Sequence, residues 1–156
     1  RNPKDEGTDY IKRVIGLPGD RIQMNNGQLY INGQAVKREQ VANWANDDPR
    51  EKGKPIKRWR ETLPNGVTYE TLDLGESYYD NTPEYNVPAG HYFMMGDNRD
   101  NSTDSRVQSA VGFVPLENFI GRAEIIFFSL AEGTAIYELW RWPFDVRWGR
   151  IFSWVR

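Results

Sequence analysis

The sequence contains no cysteine and a single histidine, His91. Without thiols there is no disulfide framework and no thiolate zinc site, and one imidazole cannot build a multi-histidine metal centre. The same scarcity makes a Ser-His-Asp triad a poor expectation, and nothing in the chain calls for a metal or another cofactor. An excess of one charge is also missing: 20 basic against 22 acidic side chains leave a net charge of −2, so a general nucleic-acid partner is not expected. No run approaches the roughly 18 consecutive apolar residues of a membrane-spanning helix. The most apolar stretch, AEIIFFSL at 123–130, is short and interrupted. The chain opens on RNPKDEGTDY with neither an initiator methionine nor a secretory leader, and it reads as a piece of a longer or processed protein.

What is present is aromatic and strongly punctuated. Aromatics make up 13% of 156 residues, enough for one domain with a real core. Asn25-Asn26-Gly27 and Asn32-Gly33 separate the alternating runs RIQM, QLYI and QAV, the pattern of a β-meander with tight hairpin turns. VTYETLDL from Val67 and HYFMM at 91–95 read as further strands, as does IGRAEIIFFSL at 120–130, taken as buried. Pro115-Leu116-Glu117-Asn118 suits one short helical turn. The expected fold is mostly β: antiparallel sheets of hairpins, partly closed into a barrel, with a long polar β insertion and little helix. A single catalytic-type domain over 1–156 is expected, with its core in 9–37 and 87–130, a variable insertion at 38–86 and a Trp/Arg-rich tail at 137–156.

The insertion carries Lys52, Lys54, Lys57, Arg58 and Arg60. A solvated charge run is the ordinary reading of such a cluster, and a basic docking patch the sharper one. The tail holds Trp140, Trp142, Trp148 and Trp154 among arginines. That composition suits an apolar-polar interface such as a membrane surface and equally suits a terminal element packed on the core.

Two stretches carry chemistry. In DYIKRVIGLPGD, Lys12 and Arg13 interrupt an apolar strand pattern, and alternation sends them to opposite faces. In MGDNRDNSTDSR, acids, amides, hydroxyls and arginines follow one another between two apolar runs. Counted as a calcium loop from Asp97, the third, sixth and twelfth residues are Arg99, Ser102 and Gln108, a poor match. An Asx-rich surface turn is the plain reading of this knot. A rigid polar platform whose Ser102 or Ser105 hydroxyl orients a catalytic amine is the other, and composition alone does not choose.

YIKRVIGLPGDRI, NGQLYINGQAV, VPAGHYFMMGDNRDNSTDSR and GFVPLENFIGRA, in that order, resemble the type I signal peptidases, the bacterial leader peptidases. The resemblance covers roughly 9–37 and 87–130. It implies a membrane-anchored serine endopeptidase of the cytoplasmic membrane, its catalytic domain on the periplasmic side. Such an enzyme cuts the signal-peptide region of exported preproteins after small residues. By that resemblance Lys12 is the general base and Ser102 orients it. Asp104 and Arg106 support the loop by pairing, and Tyr10 and Ile11 border the pocket for the small residue beside the cut. The role fits lysine chemistry: a base must be neutral, so a pKa of about 10.4 must fall to about 7–8, which burial can achieve. Arg13 could not serve, because a guanidinium stays protonated.

Two departures stand beside the resemblance. The family's nucleophile belongs to an SGSMxPT-like motif before the lysine strand, and none of Ser77, Ser102, Ser105, Ser109, Ser129 and Ser153 stands in that context. The chain by itself is therefore expected to be inactive. Five residues, VQSAV, separate DSR from GFVP, more than in many members. A non-catalytic β domain that binds a peptide by strand addition, or a membrane surface through 137–156, is the alternative.

Overall fold

The computed structural model describes residues 1–44, 55–126, 129, 146 and 148–155. They fall into two compact units, one of 1–44 with 56–121 and one of the described residues within 45–55 and 122–156.

In the first unit the hairpins form where the turn chemistry directs them. β2 (Arg21–Asn25) and β3 (Gln28–Ile31) pair antiparallel across Asn26 and Gly27, both at positive φ (48° and 71°). β3 then pairs β4 (Gln34–Ala35) across Asn32 and Gly33, at 54° and 79°. Asparagine and glycine tolerate this left-handed region, which is why the sequence signal is strong. β8 (Tyr85–Asn86) adds to the free edge of β2, completing the order β4-β3-β2-β8.

A second sheet has the order β1-β9-β10, from β1 (Arg13–Gly16), β9 (His91–Met95) and β10 (Val114–Pro115). β9 lies in the middle and alternates as a half-buried strand should, burying Phe93 and Met95. These pack with Ile15, Ile22, Met24, Leu29, Ile31, Val36, Leu63, Tyr69 and Val87 in one apolar core. A short 3-10 turn at Leu116–Asn118 follows β10. The longer VQSAV connection closes as a compact turn: the amides of Ala110, Val111 and Gly112 all point to the Val107 carbonyl, and Gly112 takes φ 65°.

The polar insertion builds the third sheet, β5 (Lys37–Trp44), β6 (Ile56–Thr62) and β7 (Thr68–Asp73), in that order. Two cations of its charge run, Arg58 and Arg60, are paired. They share Glu70 at 3.2 and 3.3 Å, and Arg38 reaches Asp73 at 3.1 Å over the Trp59 ring. Lys52 and Lys54 lie outside the described residues. Among the described residues the sheets are antiparallel and none closes into a barrel.

In the second unit β11 (Ile125–Ile126) pairs antiparallel with β12 (Ser153–Trp154), next to a 3-10 turn at Trp148–Arg150. The long buried strand expected at 120–130 is thus two residues of strand among those described, and Ile125 is 43% exposed. The expectation overweighted composition: a run of apolar side chains does not specify what covers it. Phe127, Phe128, Leu130, Trp140 and Trp142 lie outside the described residues, while Trp148, Phe152 and Trp154 are exposed. No helix among the described residues is long and apolar enough to cross a membrane.

Candidate active site

The Lys12-Arg13 pair divides at the start of β1. The strand begins at Arg13, two residues after Ile11, so Lys12 is the last residue before the ladder. Arg13 pairs in register with Met95 and lays its guanidinium fork on Asp97, with Nε to Oδ1 at 2.8 Å and Nη2 to Oδ2 at 2.9 Å. The same guanidinium stacks 4.2 Å from the centre of the Tyr69 ring. Lys12 goes elsewhere: its Nζ donates to Ser102 Oγ at 2.9 Å, across 90 residues of sequence.

The polar knot is bent back onto β9 by its own side chains. Ser105 takes a ladder position beside Met94, accepting from the Met94 amide through Oγ (2.8 Å) and donating its amide to the Met94 carbonyl (3.0 Å). Asp104 is fully buried and accepts from the Gly96 amide at 3.0 Å and from the Arg106 amide at 3.1 Å. Arg106 closes a bidentate fork on it, Nε to Oδ1 at 2.9 Å and Nη2 to Oδ2 at 2.8 Å. Such charge-assisted forks are short and directional, so this one fixes the loop as well as neutralising it.

Ser102 is therefore delivered to the end of β9, directly over Gly96. A Cβ built on Gly96 would lie 2.6 Å from Ser102 Cβ, overlap Oγ, and come within 3.5 Å of Lys12 Nζ. Only glycine leaves this space. Gly96 directly follows the strand read at 91–95, and nothing local in the sequence announces its part in the site.

The electrostatics follow from this packing. Burial pushes the Lys12 ammonium below its ordinary pKa; the Asp104 carboxylate opposes that, and the Arg106 guanidinium adds to it. For Asp104, burial acts upward, but the Arg106 fork and charge, the Gly96 amide and a hydrogen bond from Ser102 outweigh it and hold the carboxyl below the usual range. Ser102 accepts from the amine, and its nearness to Asp104 is among the causes that hold that carboxyl low.

Tyr10 and Ile11 border this group. The Tyr10 ring centre is 5.1 Å from Lys12 Nζ. Ile11 is 83% exposed, so it does not wrap Lys12 and instead presents an open apolar surface beside it.

Sequence reasoning also missed the support behind the knot. Arg99 is buried and forks onto Glu61 of β6, Nη1 to Oε1 at 3.0 Å and Nη2 to Oε2 at 2.6 Å, while the Tyr69 hydroxyl donates to the same carboxylate at 2.9 Å. Backbone amides add to this: that of Leu72 donates to the Asp97 carbonyl and that of Leu74 to the Asp100 carboxylate. The signal available was Glu61 itself, an acid at the same alternation phase as Trp59. Among the described residues no group of acids or imidazoles is placed to hold a metal ion.

The family model described as signal peptidase, peptidase S26, matches residues 1–128. The chain is similar to signal peptidase I of Rickettsia typhi, 42% identical over 169 residues, and to that of Rickettsia prowazekii, 41% identical over 169 residues. Each match covers 98% of this chain and 62% of the relative. A crystal structure of a signal peptidase I from Enterococcus faecalis is 29% identical and aligns over 70% of this chain and 78% of that one, with a TM-score of 0.36. The chain thus spans about 62% of the length of these curated relatives. On the family match and these identities, the chain belongs to the signal peptidase family, peptidase S26.

Proposed function

We propose that this chain carries the general-base half of a Ser-Lys peptidase that removes signal peptides from exported preproteins. The observation that carries the reading is the 2.9 Å bond from Lys12 Nζ to Ser102 Oγ, made between the two motifs that the family resemblance singles out.

A neutral amine has two N–H bonds and one lone pair. Ser102 accepts an N–H from Lys12, so it fixes the amine without consuming the lone pair. The lone pair is left for the proton of a nucleophilic serine hydroxyl. As that oxygen attacks the carbonyl carbon before the scissile bond, the proton passes to Lys12, and Lys12 returns it to the departing amine. Water then attacks the acyl ester, again through Lys12, and regenerates the serine. Asp104 and Arg106 keep Ser102 in place, and the exposed Ile11 with Tyr10 offers an apolar border for a small side chain such as alanine.

Ser102 is engaged as the acceptor of Lys12, and no serine of the 156 residues stands in the family's nucleophile motif. The chain alone is accordingly proposed not to cleave. The membrane-anchored, periplasm-facing setting of the reaction, the signal-peptide region as partner and a membrane contact through 137–156 belong to the same proposal. The test joins this chain to the part of Rickettsia typhi signal peptidase I that it does not match, and supplies a reporter peptide with an A-x-A site. The joined protein is expected to cut after the second alanine and to lose that activity on Lys12→Ala. Cleavage that survives Lys12→Ala, or turnover by the isolated chain above its own Lys12→Ala control, overturns the reading.

A further inference from the structure

Glu61 is an oddity of the insertion. On β6 and β7 the side chains of Trp59, Glu61, Tyr69 and Thr71 share one face by alternation, and Glu61 and Thr71 are 0% and 1% exposed. A carboxylate on that face is expensive to bury, and an apolar pair of similar volume would hold a sheet to a loop at lower cost. Beside the Tyr69 hydroxyl of the neighbouring strand, its charged partner is Arg99, from the knot 38 residues away.

The chain of contacts continues from there to the amine. The Arg99 carbonyl accepts from Arg106 Nη2 at 2.5 Å. That same Nη2 donates to Asp104 Oδ2 at 2.8 Å, so one nitrogen ties the turn at residue 99 to the carboxylate at residue 104. Ser102 lies in the turn between these two arginines, two residues before Asp104, and receives Lys12. Both ends of the turn that carries Ser102 are thereby fixed by buried ionic contacts, one of them anchored in β6.

We infer that Glu61 is a positioning residue for the base: by fixing Arg99 from the β5–β7 sheet, it sets where Ser102, and through it the Lys12 amine, can stand. This rests on the reading of Lys12 as the base and extends it to a residue of the insertion. The charged groups whose fields reach Lys12 are Asp104 and Arg106, with the Tyr10 ring beside it; those around Glu61 are Arg99 and Tyr69, with Arg13 over the Tyr69 ring. Glu61 acts on the amine by holding the turn, with no direct contact.

The experiment follows the Lys12 side-chain resonance and the Ser102 backbone amide by NMR through a pH titration of the chain as it stands. Glu61→Gln keeps the shape of the side chain but faces Arg99 with an amide N–H₂. It is expected to shift the Ser102 amide and to move the Lys12 midpoint by about half a pH unit or more. Tyr69→Phe removes one bond to Glu61 and leaves the Arg99 fork, and is expected to lower the urea midpoint without moving either resonance. A folded Glu61→Gln chain with both signals in their original places overturns the inference, as does a Tyr69→Phe chain that moves them equally. If Glu61→Gln does not fold, Arg99→Lys is read the same way, and unmoved signals there overturn it. An ordinary lysine midpoint in the unsubstituted chain instead defeats the base reading, while a displaced Ser102 amide in Glu61→Gln still supports positioning.

Discussion

Gly96 leaves the space that Ser102 fills: the serine side chain rests where any Cβ on residue 96 would have to be. The strand end and the returning loop touch backbone to side chain, and this close approach lets an oxygen of residue 102 meet the amine of residue 12. Gly96→Ala should therefore push Ser102 outward and break the Lys12 bond. The overpacking should cost about 1–3 kcal/mol in urea unfolding. A crystal structure of the variant is the direct check, and a Lys12–Ser102 contact still near 2.9 Å in it would refute the account.

Asp104 gives the acid limit of the fold. Burial opposes its charge, but the Arg106 fork, the Gly96 amide and Ser102 win, so its folded pKa lies below its unfolded one. A depressed carboxyl stabilises above the unfolded value, about 3.9, and that contribution fades as pH falls through the lower folded value. Asp104→Asn leaves Arg106 buried without its counter-charge and should destabilise by about 3–5 kcal/mol at neutral pH. The deficit should shrink between pH 4 and pH 2, measured by urea midpoints across that range. A constant deficit would show that Asp104 does not carry the charge-dependent part.

Much of this was legible in the sequence, and the legible parts share a cause. Asn26-Gly27 and Asn32-Gly33 announce their turns because the backbone there needs positive φ and few residues allow it. HYFMM announces β9 because alternation is local. Lys12 and Ser102 came into view through the family resemblance of their two motifs. Glu61 stayed hidden because its meaning depends on Arg99, and pairing across 38 residues leaves no local trace in a stretch that reads as solvated. The role of Gly96 has no local trace because close approach to another segment is a tertiary fact. The apolar run after Ala123 misled for the converse reason: composition says what should be covered and is silent on what covers it.

Lys12 should leave a signature at alkaline pH. Burial lowers its pKa in the folded chain, so between the folded value and about 10.4 the unfolded chain holds a proton that the folded one has released. Stability then rises with pH through that window as far as this group is concerned. Lys12→Met removes the titration. The variant should gain most over the parent near neutral pH, and the two should converge as pH approaches 10. Urea midpoints from pH 6 to pH 10 test this, and parallel curves would mean that Lys12 titrates alike in both states.

The neighbouring cations offer the sharpest contrast, because one residue of sequence separates two unlike tasks. Arg13 holds Asp97 with a fork and stacks on Tyr69, while Asp97 stays well exposed. Arg13→Lys gives up the fork and the stacking but keeps the charge. It should cost about 1 kcal/mol or less in stability and leave cleavage by the joined Rickettsia typhi protein within about tenfold of the parent. Lys12→Arg also keeps the charge and should do the opposite, staying folded while cleavage falls by about a hundredfold or more, since a guanidinium cannot give up its proton at working pH. Reporter-peptide kinetics on both substitutions decide the matter. Near-normal cleavage by Lys12→Arg would remove Lys12 from the role of base, whatever its distance from Ser102.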